Sequence, residues 1–78
     1  MKPKKFQTLD VRPLLAAGTE PLVAIRQRVD ALTAGQGLTV LAPFLPSPLI
    51  ELLRSEGFES DMEHRQDGAW SVSFWKSP

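Results

Sequence analysis

The sequence predicts an α+β fold, a two-layer α/β sandwich in which a four-stranded mixed sheet carries two helices on one face. Three observations predict it. The apolar pattern switches between a period of two and a period of three to four, in the order βαβαββ. Asp67–Gly68 lies between two alternating segments, which is the signal of a β-hairpin. A right-handed crossover between the first two strands makes them parallel and places both helices on the same face.

The chain is expected to form one domain, residues 6–76, preceded by a flexible leader, residues 1–5, that is basic and contains a proline. The first strand is predicted over residues 6–12, where apolar and polar side chains alternate. Its polar face carries Thr8, Asp10 and Arg12. Pro13 has no N–H to donate, so the strand is expected to end there.

The first helix has the clearest pattern in the sequence. Four apolar residues recur at spacings of three and four and form one stripe: Leu22, Ile25, Val29 and Leu32. Thr19 is predicted to be the N-cap, with Glu20 and Pro21 in the first turn, where a negative charge and a missing N–H are both tolerated. Gly35 or Gly37 is expected to supply the left-handed residue at the exit.

The second strand, residues 38–44, is apolar except at Thr39, which is the pattern of a central strand buried on both faces. Prolines then interrupt regular structure at positions 43, 46 and 48. Ser47 and Pro48 are predicted to be the N-cap and first residue of the second helix. This helix is expected to close at Gly57 and to turn three leucines toward the core: Leu49, Leu52 and Leu53.

The last two strands are predicted over residues 58–66 and 70–75, antiparallel and joined by Asp67–Gly68. Trp70 and Phe74 are expected to lie in the core under the helices. The other face of the sheet is expected to be open to solvent and to carry Thr8, Asp10, Arg12, Ser71, Ser73 and Trp75.

Composition argues against several classes of function. Nine basic and nine acidic residues give zero net charge, which removes the long-range attraction of a general nucleic-acid binder. The sequence has no cysteine, hence no disulfide or thiolate nucleophile, and its single histidine, His64, is a weak signal for a metal site. We expect no cofactor and no enzymatic activity, because no catalytic set of residues is present. Without an apolar run long enough to span a membrane, a cytoplasmic location is expected.

Short motifs give the chain a family resemblance. Residues 9–12 are Leu-Asp-Val-Arg, and residues 20–22 are Glu-Pro-Leu at the start of an amphipathic helix. From about Leu9 to Trp75 the chain resembles the TusA-like (SirA-like) superfamily, which implies the same βαβαββ fold. In TusA-like sulfur carriers the first helix begins with Cys-Pro-x-Pro, and the cysteine carries a persulfide. The matching residues here are Gly-Thr-Glu-Pro, with Gly18 at the cysteine position, so the resemblance implies a fold without sulfur transfer.

The chain is identified as a member of an uncharacterised, cysteine-free bacterial branch of that superfamily. Residues 9–12 carry this resemblance together with residues 46–49, Pro-Ser-Pro-Leu, and residues 68–70, Gly-Ala-Trp. Some members of the branch have Asp and His just before the Pro-x-Pro-Leu segment, where this chain has Pro43, Phe44 and Leu45. A metal or acid–base role at these positions is therefore not implied here.

Two candidate sites follow. The first is an anion site, where the end of the first strand meets the free N–H groups at the start of the first helix. Its residues are Asp10, Arg12, Gly18, Thr19, Glu20 and Pro21. The alternative is a surface ion pair of Arg12 with Asp10 or Glu20, beside an ordinary N-cap. The second is a partner surface on the open sheet face, formed by Trp75 and Phe6, whose alternative role is to cover a sheet edge.

The leading functional hypothesis is a non-enzymatic binding or accessory module that acts through a protein partner. The second is a regulatory domain that binds a small anion or metabolite through Arg12 and the first helix. RNA binding is the weakest, because it rests on analogy at the level of the fold and is opposed by the zero net charge. No membrane partner is expected.

Overall fold

The structure is a computed structural model that describes residues 2–76. Its elements are β1 (Lys5–Asp10), α1 (Arg12–Ala16), α2 (Pro21–Asp30), β2 (Gln36–Ala42), α3 (Ser47–Ser55), β3 (Phe58–His64) and β4 (Trp70–Lys76). The strands form one sheet in the order β1-β2-β4-β3, with β1 and β2 parallel and the other two pairs antiparallel. The predicted α+β fold with a four-stranded mixed sheet is confirmed. Met1 of the predicted leader lies outside the described residues.

The first strand is shorter than predicted at its end, because a helix that the sequence analysis missed begins there. β1 starts one residue earlier than predicted, at Lys5, and stops at Asp10. Val11 already has a helical backbone, and Arg12 is the first residue of α1, so the placement of Arg12 at the end of a strand is wrong. Pro13 ends the strand by occupying the first turn of this helix, where its missing N–H costs nothing.

The helix α2 begins at Pro21, one residue later than the predicted cap implies, and has a different cap. The carboxylate of Glu20, and not the hydroxyl of Thr19, accepts a hydrogen bond from the Leu22 N–H at 3.2 Å. Of the predicted apolar stripe, Ile25 and Val29 are buried. Leu32 packs against the core and Leu22 stays partly exposed. The left-handed residue is Gly35, at φ 82°, in the turn before β2. Gly37, the alternative, belongs to β2.

The second strand and the last helix form most of the core on one face of the sheet. β2 buries Leu38, Val40 and Ala42 under the helices, whereas Thr39 and Leu41 on the other face are only half-buried, so burial on both faces is wrong. In α3 the buried residues are Leu49, Ile50 and Leu53. The prediction that Leu52 points inward is wrong, because the stripe that faces the sheet runs through Ile50. Ser47 lies inside the helix, and Pro46 is the cap.

The hairpin is confirmed. The Arg65 N–H donates to the Ala69 carbonyl at 2.8 Å, Gly68 has φ 87°, and the Asp67 carboxylate accepts from the Ala69 N–H at 3.0 Å. Phe74 is fully buried, as predicted. Trp70 is only half-buried and stacks on the ring of His64, with 4.6 Å between the ring centres.

One cluster contains buried side chains of α2, α3, β2 and β4 together with Val11, and the partly buried Leu9 of β1 packs against it, so the helices share one face of the sheet. Within residues 2–76, no helix is long and apolar enough to cross a membrane.

Candidate binding surfaces

Arg12 follows the end of β1, and its guanidinium lies close to two carboxylates, those of Asp10 and Asp67. Its Nε and Nη2 donate to the two oxygens of Asp10 at 2.9 and 2.7 Å, and its Nη1 lies 3.6 Å from the carboxylate of Asp67. Arg65 approaches the same Asp67 at 3.5 Å. The hydrogen bond from the Arg12 side chain lowers the pKa of Asp10, and the same pairing raises the pKa of Arg12. The surface pair of Asp10 and Arg12, which was the alternative interpretation, is present.

Backbone N–H groups at and before the start of α2 also have acceptors within the protein. The N–H groups of Gly18 and Thr19 donate to the carbonyls of Leu15 and Leu14, at 3.0 and 2.8 Å. Glu20 places its carboxylate on the Leu22 N–H, and Pro21, the first helical residue, has no N–H. An anion at either half of the predicted site would therefore meet a carboxylate. Among the described residues, no hydrogen bond joins Arg12 to Gly18 or Thr19.

Trp75 and Phe6 lie together on the sheet face opposite the helices, as predicted. Their rings meet edge to face, with centres 6.1 Å apart and an interplanar angle of 89°. The expectation that Trp75 is exposed is wrong, because its exposed fraction is 7%. A strap, residues 2–4, brings the ammonium of Lys2 to 5.5 Å from the Trp75 ring centre and 6.0 Å from that of Phe6.

Gly37 of β2 leaves room for the ring of Phe6 on β1 to contact Trp75 on β4. It pairs with Phe6 in β1, and a Cβ at this position would overlap the Phe6 ring and lie 2.9 Å from the Phe74 carbonyl oxygen. Without that Cβ the Phe6 ring lies over β2 and reaches Trp75 on β4. The Trp75 Nε1 is buried and has no hydrogen-bond acceptor among the residues that the structure describes.

A third surface, which we call the helix-layer groove, was not predicted. It is a cavity of about 420 Å³ at the edge of the sheet where β1 and β2 end and where α2 and α3 begin. Its lining includes Leu22, Phe44 and Leu52, whose exposed fractions are 40%, 53% and 39%. Among residues 2–76, Glu20 is the one charged residue in its lining.

The apolar residues that line this groove are visible in the sequence, but their helical spacing predicts that they are buried in the core. Leu22 and Leu52 continue the apolar stripes of their helices and were assigned to the core, although a short helix on a four-stranded sheet buries only part of such a stripe. Phe44 follows β2 in a segment rich in proline and was assigned to the strand. The pattern that indicates the groove is an aromatic residue in a proline-rich loop together with more helical leucines than a small sheet can bury.

Within residues 2–76, no group of three or more His, Asp or Glu side chains is placed to hold a metal ion. His64 is exposed, and its ring stacks on Trp70.

Comparison with known proteins gives one finding on the family. The model of a family described as an uncharacterized conserved protein (DUF2249) matches residues 8–76, which include all three helices and all but the first residues of the sheet. No curated protein and no solved structure matches the chain. The matched family is one of unknown function, as the resemblance implied.

Proposed function

The chain belongs to the family of uncharacterized conserved proteins DUF2249, and from its surfaces we propose that it is a non-enzymatic binding module. In this proposal an apolar segment of a protein partner binds in the helix-layer groove. The observation that carries the proposal is the lining of the groove, where large apolar side chains stay exposed beside a preformed cavity.

The size and the chemistry of the groove support a side chain of a partner as its ligand. A cavity of about 420 Å³ lies at the lower end of the range for ligand pockets, about 300–1,000 Å³. Exposed apolar surface of this kind marks interaction sites on small proteins, and its burial stabilises a complex by about 25 cal/mol per Å². The lining offers the carboxylate of Glu20 and no cation, so a neutral or basic peptide fits better than an anionic lipid.

The groove also lies next to the segment that matches the Cys-Pro-x-Pro motif of the sulfur carriers. We propose that the chain is a member of the TusA-like superfamily, supported by the sheet with its helices on one face. The segment that matches Cys-Pro-x-Pro ends with Glu20 and Pro21, and both line the groove. In this proposal the same edge of the fold, which has no thiol here, serves binding in place of sulfur transfer.

Binding of a small anion at Arg12 has less support. The carboxylates of Asp10 and Asp67 already pair with Arg12, and the carboxylate of Glu20 already accepts from the Leu22 N–H at the start of α2. RNA binding has still less, since the net charge is zero.

The proposal is tested by NMR titration of the ¹⁵N-labelled protein with N-acetyl-leucinamide and N-acetyl-phenylalaninamide, which present one side chain and one peptide unit without charge. The expected result is saturable shifts of amides around Leu22, Phe44 and Leu49, with Thr39 and Ser73 on the other sheet face unmoved. Both probes should bind weakly, at about millimolar concentrations, because each buries a single side chain.

A matched pair of variants distinguishes binding in the groove from nonspecific binding to apolar surface. Leu52→Glu places a charge in the lining and should abolish these shifts. Val23→Glu makes the same change at an apolar residue that is 62% exposed but outside the groove, and should leave them intact. Equal shifts in wild type and Leu52→Glu, or no shifts at saturating probe, would refute the proposal.

A further inference from the structure

The open face of the sheet holds a second constellation, unrelated to the groove. The ammonium of Lys2 lies 2.8 Å from the Oδ2 of Asp61 and within about 6 Å of two aromatic ring centres, those of Phe6 and Trp75. Lys2 comes before β1 at one edge of the sheet, while Asp61 lies in β3 at the other edge. The strap therefore crosses the face, and its cation rests against both rings and a carboxylate.

The fold builds these surroundings without help from the strap. Gly37 provides the space that the Phe6 ring occupies, and the edge-to-face contact fixes this ring against Trp75. Asp61 projects from β3 on the same face, because it pairs with Ser73 in the row next to Trp75. An aromatic pair beside a carboxylate is the chemistry that recognises an ammonium group, through the ring quadrupoles and one charge-assisted hydrogen bond.

A second observation indicates a ligand larger than the bare cation. The Nε1 of Trp75 is buried and has no acceptor among residues 2–76, an arrangement that costs free energy. The Lys2 ammonium lies 5.5 Å from the centre of the Trp75 ring, and because it is itself a donor it cannot satisfy this N–H. A ligand that carries a hydrogen-bond acceptor close to its ammonium group offers the partner that Lys2 does not supply.

We propose that Phe6, Trp75 and Asp61 form a binding site for a primary ammonium group, of the kind at the end of a lysine side chain. Lys2 of the chain itself occupies the site in the described structure, and an ammonium of another molecule takes it in exchange. Lys2 is tethered only three residues before β1, so a competitor must exceed an effective concentration of roughly millimolar. Neutralising Lys2 opens the site.

The test uses the Lys2→Gln variant and n-butylammonium chloride, which reproduces the end of a lysine side chain. The readout is the Nε1–H resonance of Trp75 and its exchange with water, assigned by its loss in Trp75→Phe. Lys2→Gln should speed this exchange, and n-butylammonium should restore the protection saturably, at lower concentrations than it perturbs the wild-type signal. Lys4→Gln, two positions along the strap, should leave the wild-type protection intact.

Two further controls define the chemistry. Neutral n-butanol should not restore protection in Lys2→Gln, and Asp61→Asn added to this variant should weaken n-butylammonium binding by about threefold or more. Retained circular dichroism and a wild-type Trp70 resonance show that the fold is intact. The proposal is overturned if Lys2→Gln leaves the exchange of Trp75 unchanged in a folded protein, or if n-butanol protects as well as n-butylammonium.

A mixing experiment distinguishes the source of the ammonium. Lys2→Gln has an open site, and Asp61→Asn has a Lys2 whose own site lacks the carboxylate. Association by sedimentation in the mixture, and in neither variant alone, identifies a second copy of the chain as the donor. Binding of n-butylammonium without such association assigns the site to an amine or lysine of a different molecule.

Discussion

Single side chains on the two faces of the sheet have distinct roles. On the helix side, Val40, Val72 and Phe74 fill a core from which water is excluded. On the open side, a row that includes Phe6, Gly37 and Trp75 is closed by a lysine from the strap. Gly37 has no side chain, and the space that this leaves determines where the Phe6 ring lies.

Gly37→Ala is therefore expected to destabilise the protein by about 1–3 kcal/mol, since the new methyl group overlaps the Phe6 ring and crowds the Phe74 carbonyl. Urea unfolding of Gly37→Ala, Phe6→Ala and the double variant measures this effect. The double variant should lose less than the two single losses together, because removing the ring removes its overlap. Strict additivity would show that the ring and the glycine do not interact.

The ionic cluster at Arg12 makes a prediction about pH. The hydrogen bond from Arg12 lowers the pKa of Asp10 in the folded protein, so folding favours the ionised carboxyl. This contribution is complete above the ordinary aspartate pKa of about 4 and is lost as the pH falls through the lower folded-state pKa. In Arg12→Gln the Asp10 midpoint, followed by carboxyl ¹³C NMR, should rise toward the ordinary value. An unchanged midpoint would contradict the assigned cause.

At the scale of elements, the sequence predicted what depends on local pattern and missed what depends on neighbours. The hairpin at Asp67–Gly68 and the stripe of Ile25 and Val29 were predictable, because turn chemistry and helical spacing are local. The helix α1 was missed because Pro13 signals both the end of a strand and the first turn of a helix.

The candidate sites depended on long-range contacts and were predicted less well. The pairing of Arg12 with Asp10 was foreseen as an alternative, but the approach of Asp67 from the hairpin was not. The ring of Trp75 is approached by Lys2, which lies far away in the sequence, in the predicted flexible leader. No local pattern reports that a lysine before β1 reaches past β2 and β4 to Asp61 of β3.

Within α3, neighbouring apolar residues should differ sharply in their contribution to stability. Ile50 is buried against the sheet, so Ile50→Ala should cost about 2–4 kcal/mol. Leu52 is exposed in the groove, and Leu52→Ala should cost about 1 kcal/mol or less. Urea denaturation followed by circular dichroism measures both. Similar losses at the two positions would mean that the helix is rotated relative to the structure described.

For the whole molecule, size limits how much damage the core tolerates. A domain of 78 residues has a free energy of unfolding of about 4–12 kcal/mol, so one large cavity consumes much of it. The fold therefore depends on a few fully buried residues on the central strands, Phe74 foremost among them.

Phe74→Ala is expected to cost about 3–5 kcal/mol and to populate the unfolded state at 37 °C. Phe74→Leu should cost about half as much or less, because most of the buried volume is kept. Thermal unfolding by circular dichroism compares the two with Val23→Ala, an exposed position that should change stability by less than about 0.5 kcal/mol. A wild-type midpoint for Phe74→Ala would contradict the assigned core.

The strap has one more consequence, for how the sheet opens. The outer strands β1 and β3 share no ladder and are separated by β2 and β4, so they would ordinarily fray independently. Lys2, just before β1, is bound to Asp61 of β3, so a polar tie on the outer surface joins the two margins. Opening of either margin breaks this tie, so the two edges of the sheet are expected to be coupled, though only weakly because the ion pair is exposed to solvent.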